Sequence, residues 1–489
     1  MSIIQKECTS HISYIRTQWQ EVTSKAIFME DLAQAAIDAA LKTGVSFADI
    51  RIENSTTTII ELNDGVTRQS MASRMKGAGI RAFIDGAWAF AQTTNLTSEG
   101  MRTTGESVAK LALATREKVA EKFVIDGPTF DAKVKLNVKK PFDSVSIEEK
   151  MGFVQMIDNQ ARDFDERIVS TRTIYGELSS EIFIANSLGT RIALQNAIPR
   201  VISIPTAKEG PNRQRIQQSI SFRSGFEEME TEEAQNIGTK AAKLAIDLLA
   251  SKSAEGGIYD VVLDPALNGV VTHEAFGHAT EADNWPAHST VLEEKINEKV
   301  GPDYLSISDD PTLTGMRGST EYDWEGTKTK KRRMVKDGIL TDLLHSLETS
   351  SRLELEPNGA ARAQSFMHVP LPRMSNTFME PGDWDVDELI EDMKHGILLC
   401  SFNYGYTQSA KGQFMFQASH GYMIENGEKE TMVRDVSLAG NILEVLAKVD
   451  AIGKDFELEG GTCGKDGQSV PIMTGGPHAR IRQVPVGGM

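Results

Sequence analysis

The stretch Thr272-His273-Glu274-Ala275-Phe276-Gly277-His278-Ala279-Thr280-Glu281-Ala282-Asp283 gathers two histidines and three carboxylates within a few turns of chain. Only nine histidines occur in 489 residues, so this is a concentrated use of a scarce side chain. Imidazole is the commonest metal-binding side chain, and a carboxylate beside a metal site can take a proton from water. The residues read as a zinc site of the hydrolytic kind.

The spacing constrains the backbone. In H-E-x-x-H the histidines sit at i and i+4, only ~40° apart around a helix. His273 and His278 sit at i and i+5, which places them ~140° apart on a regular helix. Joint ligation therefore requires a π-type bulge, another distortion, or a helix end between them. Gly277, just before the second histidine, could permit one.

A chain of this length suggests about three domains of ~150 residues. Net charge is −17 and the isoelectric point about 5.1. That balance argues against a nucleic-acid surface, which needs clustered Lys and Arg. The basic run Lys328-Thr329-Lys330-Lys331-Arg332-Arg333 reads as a solvated turn or strand edge. No apolar run approaches the ~20 residues of a membrane span, and no signal-peptide core follows Met1. Three cysteines, Cys8, Cys400 and Cys463, make no disulfide framework. The expected compartment is the cytoplasm.

Periodicity points to an α+β chain. After an N-terminal extension over 1–27, residues 28–125 read as a first α+β subdomain. It has a turn at Asn63-Asp64-Gly65, a further hairpin over Gly77–Trp88 whose glycines read as turns, and a closing helix with Val108, Leu111, Ala112, Thr115, Val119 and Phe123 on one face. Residues 126–255 read as a central α+β subdomain, with a capping box at Ser146-Ile147-Glu148-Glu149 and a turn at Asn186-Ser187-Leu188-Gly189. Residues 256–489 read as a β-rich C-terminal catalytic domain that carries the zinc motif on a helix. Two more helices are expected there, at Asp387–Lys394 and Leu438–Val449.

A catalytic zinc usually takes three protein ligands and leaves a position for water. The residues leave two routes to the third ligand: Glu281, three positions after His278, and Cys463, in a glycine-rich loop, Gly460-Gly461-Thr462-Cys463-Gly464, whose backbone freedom suits a close approach to a metal. Cys8 and Cys400 have no such context. Candidate donors to an oxyanion or substrate are Tyr404, Tyr406 and His420. Gly464-Lys465-Asp466-Gly467-Gln468-Ser469 lacks the order of a phosphate loop.

The H-E-x-x-x-H stretch resembles the signature of the TldD/PmbA family, specifically its TldD-type active subunit. So do Asp309-Asp310-Pro311, Asp323-Trp324-Glu325-Gly326-Thr327, Pro372-Arg373-Met374-Ser375-Asn376-Thr377 and the tail Gly461 through Pro471. In the first half, Arg74 through Gly79, Arg81 and Phe83-Ile84-Asp85-Gly86 resemble the family's first domain. The resemblance begins near residue 30 and leaves the first 27 without a counterpart. It implies Cys463 as the third zinc ligand beside His273 and His278, with Glu281 and Asp283 orienting ligands from behind or standing as alternative ligands. It implies a zinc-dependent peptidase for short or unfolded peptides, of low sequence preference, in which Glu274 activates the zinc-bound water. It further implies a dimer, with a second copy or with a TldE-like subunit. The competing reading is a non-catalytic, zinc-containing regulatory protein that acts on a protein partner. Phe276 and Thr280 depart modestly from the family pattern and bear on pocket shape.

Overall fold

The computed structural model describes residues 29–488; the expected extension over 1–27, with Cys8, lies outside them. The first half is built on one eight-stranded sheet. Its long strands β1 (Phe47–Asn63), β2 (Val66–Ile84), β5 (Ile168–Asn186) and β6 (Arg191–Glu209) pair antiparallel in the order β2-β1-β5-β6. β3 (Ala87–Thr93) flanks β2, and β4 (Asp131–Val134) lies parallel to β6. β1 bonds to β2 on one side and β5 on the other, so the two α+β subdomains share a continuous sheet across the 125/126 connector.

Each end of that sheet carries its own helices. The helix over 29–43 and the helix Ser98–Thr115 place Leu32, Ala36, Met101 and Val108 against Ile50, Ile80 and Phe183. The helices Ile147–Arg162 and Ile237–Leu249 cover the other end, where Val154, Ile157 and Ile237 meet Ile60, Tyr175 and Val201. Ser146 caps the first of these through a complete capping box, as its sequence requires. Asn186 closes its turn by accepting from the backbone of Leu188, Gly189 and Thr190.

The C-terminal region stacks an eight-stranded sheet on a six-stranded one. Val261, Ile397 and Phe414 from the first meet Ile307, Met379, Cys463 and Ile472 from the second in one core, and Val271, Ala275, Phe276 and Ala279 of the histidine motif lie inside it. The motif is thus held between two sheets. Apolar residues on nearly every side explain why its segment shows no clean amphipathic stripe.

Several sequence expectations are corrected. Gly77 and Gly79 are not turn residues; they lie within β2, where a Cβ would stand 2.2 Å from the Phe366 ring and 2.0 Å from the Phe366 carbonyl oxygen. They are bare so that the C-terminal region can dock on the N-terminal sheet. Only Gly86, at φ +85°, makes the turn. The helix expected over Leu438–Val449 is a strand, Val436–Asn441, followed by a short helix, Ile442–Ala447, that Asn441 caps. The closing helix ends at Thr115, and Phe123 instead packs its ring 5.0 Å from that of Phe83. The helix near Asp387 spans Val386–Glu391. Arg332 of the basic run is not solvated; it is buried and paired with Asp309.

Candidate metal centre

The strand Gly257–Leu263 ends at Asp264, whose carboxylate accepts from Leu267 N at 2.8 Å and starts a helix with Pro265 at its first position. After Pro265–Val270 the helix widens into a π turn over Val271–Phe276, then tightens into a 3₁₀ turn over Gly277–Thr280. The amide of Gly277 donates to Thr272 O, the i→i−5 bond of a π turn. This is the distortion the i, i+5 spacing demands. Gly277 has ordinary helical angles, φ −57° and ψ −46°, so backbone freedom is not its role. A Cβ there would stand 2.1 Å from Met374 Sδ; glycine lets Met374 pack against the turn.

The wide turn brings His273 and His278 together, ring centroids 5.3 Å apart and planes at 81°. Cys463 arrives from the other sheet. Ligand atoms of His273, His278 and Cys463 all lie within 4.8 Å of one another, with His278 Nε2 3.5 Å from Cys463 Sγ. Cys463 does not sit in a loop, as its glycine-rich neighbourhood suggested. It is in the strand Glu457–Lys465, paired with Gln468–Gly476 through a tight turn at Asp466-Gly467. Of the glycines beside it, Gly460 answers to close packing, since a Cβ there would meet Ser221 O at 2.9 Å, whereas Gly464 has open space. On the paired strand a Cβ on Gly475 would meet Glu457 O at 2.0 Å, and one on Gly269 of the motif helix would meet Gly475 N at 2.1 Å.

His273 is 1% exposed, and neither ring nitrogen has a hydrogen-bond partner. Such an orphaned group carries a desolvation cost of ~1–3 kcal/mol. A metal ion shared with His278 and Cys463 would satisfy it, so the residues present fit a metal. Burial, then the positive charges of His278, Arg373 and Arg362, hold His273 well below its ordinary pKa, in the neutral form that ligates.

The outer contacts orient these side chains. His278 Nδ1 bonds Glu281 Oε2 at 3.0 Å, which leaves Nε2 directed at Cys463. Burial disfavours a charge on His278, but Glu281 and Cys463 outweigh it and the pKa is raised. Burial likewise opposes ionisation of Glu281, yet His278 and Lys465 hold its pKa down. Lys465 Nζ reaches Glu281 at 3.1 Å and Asp283 at 2.7 Å. Among the described residues, Asp283 is tied to Glu281 through the Lys465 they share. Glu274 Oε2 lies 3.6 Å from His278 Nε2, with its side chain 35% exposed, so it faces both the cluster and solvent. Burial and then Glu281, against the opposing pull of His278, raise its pKa, as suits a group that takes and returns a proton.

Tyr404 and Tyr406 are half-exposed on the strand His395–Gln408. His420 is buried opposite Cys400, its ring 5.7 Å from Tyr422. No hydrogen bond or ion pair among the described residues joins any of the three to the histidine motif. Arg373 and Lys465 were overlooked by residue chemistry. Arg373 is fully buried and donates through Nη2 to Cys463. A lone arginine carries no spacing signal, and only its place in the Pro372–Thr377 block marked it.

Models of the PmbA/TldA metallopeptidase domains match residues 48–114 (domain 1), 140–249 (central domain) and 256–488 (C-terminal domain). The chain belongs to the PmbA/TldD metallopeptidase family. Among its relatives, a metalloprotease of Methanothermobacter thermautotrophicus is 38% identical over 444 residues, 91% of this chain and 96% of its own. A zinc metalloprotease TldD homolog of Saccharolobus solfataricus is 29% identical, over 92% of this chain and 99% of its own. TldE from Thermococcus kodakarensis shares the fold, with a TM-score of 0.74 at 17% identity, over 94% of this chain and 100% of its own.

Proposed function

We propose that this chain is a zinc-dependent peptidase that cuts short or unfolded peptides with little sequence preference. In this reading His273, His278 and Cys463 hold the zinc and Glu274 is the general base. The observation that carries it is the convergence of a partnerless buried imidazole with a second imidazole and a thiol. With Zn–N of ~2.0–2.1 Å and Zn–S of ~2.3 Å, a tetrahedral site separates N and S by ~3.6 Å; His278 Nε2 and Cys463 Sγ are 3.5 Å apart.

Zinc would supply Lewis acidity, which makes water more acidic and polarises a carbonyl. The chain's own residues do the rest. Glu274 takes the proton of the attacking water and delivers it to the leaving amine. Glu281 keeps His278 in the tautomer whose Nε2 is free to ligate. The two packed sheets and the close approaches at Gly269 and Gly277 keep the motif rigid. A substrate bound through its backbone, as an added strand, would account for low sequence preference. The active form in this reading is a dimer, with a second copy or a TldE-like chain.

The test pairs metal content with cleavage of casein, in wild type and Glu274→Ala. About one zinc per chain in both, with cleavage only by wild type, is the expected result. A protein that takes up no zinc even after loading would overturn the reading.

A further inference from the structure

In this acidic chain, most buried arginines face a carboxylate. Arg51 pairs with Asp49, Arg81 with Asp49 and Glu325, Arg223 with Glu321, Arg332 with Asp309 and Arg480 with Asp450. Around the Cys463 strand the pattern breaks. Arg200 and Arg317 make no ion pair with a carboxylate among the described residues, although the chain carries 69 Asp and Glu.

Arg200, on β6, reaches Thr462 Oγ1 with Nη1 at a long 3.5 Å, and its Nε is buried without a partner. Arg317 donates from Nε to Gly461 O at 3.0 Å and from Nη1 to Ser221 Oγ. All these acceptors are neutral. The two guanidiniums are close enough to repel: burial first, then Arg200 and Arg362, lower the Arg317 pKa to about 9. Like charges held together without a counter-ion in a half-buried place are a standing cost that an anion would offset. Both side chains keep partial access to solvent.

The place is telling. Arg317 takes the carbonyl of Gly461 and Arg373 takes that of Cys463, two residues on in the same strand. One such repeat is ~6.6 Å along the strand, so Arg317 grips the same strand edge as Arg373, one repeat before the proposed metal ligand.

We propose that Arg200 and Arg317 form a subsite for a carboxylate of the peptide substrate, either its C-terminal carboxylate or an acidic side chain near the bond to be cut. This rests on the peptidase reading above. The planar forks of arginine match a carboxylate's two oxygens.

The test uses one fluorescent, unstructured peptide sequence without acidic residues in three forms: free acid, C-terminal amide, and amide with one internal Asp. Binding is read by anisotropy on zinc-loaded Glu274→Gln, and hydrolysis on wild type. We expect the free acid to bind about tenfold to a hundredfold tighter than the plain amide, and Arg200→Gln and Arg317→Gln each to erase that ratio. Recovery of tight binding by the Asp-bearing amide would assign the subsite to side chains as well as termini. Equal binding and equal KM for acid and amide would overturn the subsite while leaving the peptidase standing. Absence of both binding and cleavage for all three would overturn both. The acid-to-amide comparison needs no arginine variant, so a variant that fails to fold does not blunt the test.

Discussion

Arg373 donates through Nη2 to both the carbonyl oxygen of Cys463, at 2.7 Å, and its Sγ, at 3.2 Å. It makes no ion pair among the described residues, and its Nε and Nη1 are buried without partners. A guanidinium so placed draws electron density from the sulfur it bonds. Arg373→Met is expected to weaken zinc affinity by about tenfold to a hundredfold. It should also shift the sulfur-to-metal charge-transfer band of the cobalt-substituted protein, with Arg373→Lys intermediate. An unchanged band with lowered thermal stability would make Arg373 a packing residue only.

Glu274→Gln preserves shape and removes the carboxylate of the proposed general base. Peptide cleavage should fall by about 10²–10⁴, with zinc content equal to wild type. Loss of zinc in this variant would place Glu274 among the ligands instead.

His345 is 3% exposed, with Nδ1 3.3 Å from Thr349 Oγ1, and burial lowers its pKa to about 4. The folded chain thus binds fewer protons here than the unfolded chain, whose histidine titrates near 6.5. This contribution to stability is full above pH 6.5 and is lost as pH falls from 6.5 to about 4, by about 3 kcal/mol at most. Denaturant titrations of wild type and His345→Gln should therefore converge as pH drops through that window. Parallel curves would remove His345 as the cause.

Gly79 meets the Phe366 backbone where the two halves of the chain dock. Gly79→Ala should cost about 1–3 kcal/mol in thermal or denaturant unfolding. Gly176, also within a long strand, has open space beside it, and Gly176→Ala should be neutral or stabilising by up to ~1 kcal/mol.

What was legible in the sequence follows from locality. The capping box at Ser146, the Asn186 turn and the α+β pattern are set by residues a few positions apart, and the structure keeps them. His273, Glu274 and His278 were legible because histidine is scarce and their spacing has few solutions. Gly77, Gly79 and Gly277 were misread because the atoms that exclude their side chains come from Phe366 and Met374, some 97 to 289 residues away. Leu438–Val449 looked helical because strand and helix there are both short and both apolar. Arg200 and Arg317 give no local sign at all; their meaning lies in which carboxylates are missing around them.

The π turn makes separation along the chain and separation in space independent quantities. A pattern search that counts residues between histidines looks for i and i+4 and passes over this chain. Yet the extra residue per turn absorbs the extra residue in the spacing, and the imidazoles still meet. The same compensation binds the two features to each other. Removing one residue from 274–277 would restore the familiar count but rotate every later side chain of the motif by about 100° on the helix wheel. That would turn Ala279 and Glu281 away from the neighbours they now meet. In such a centre an insertion or deletion of a single residue is a larger change than most substitutions, because it alters the phase of everything that follows.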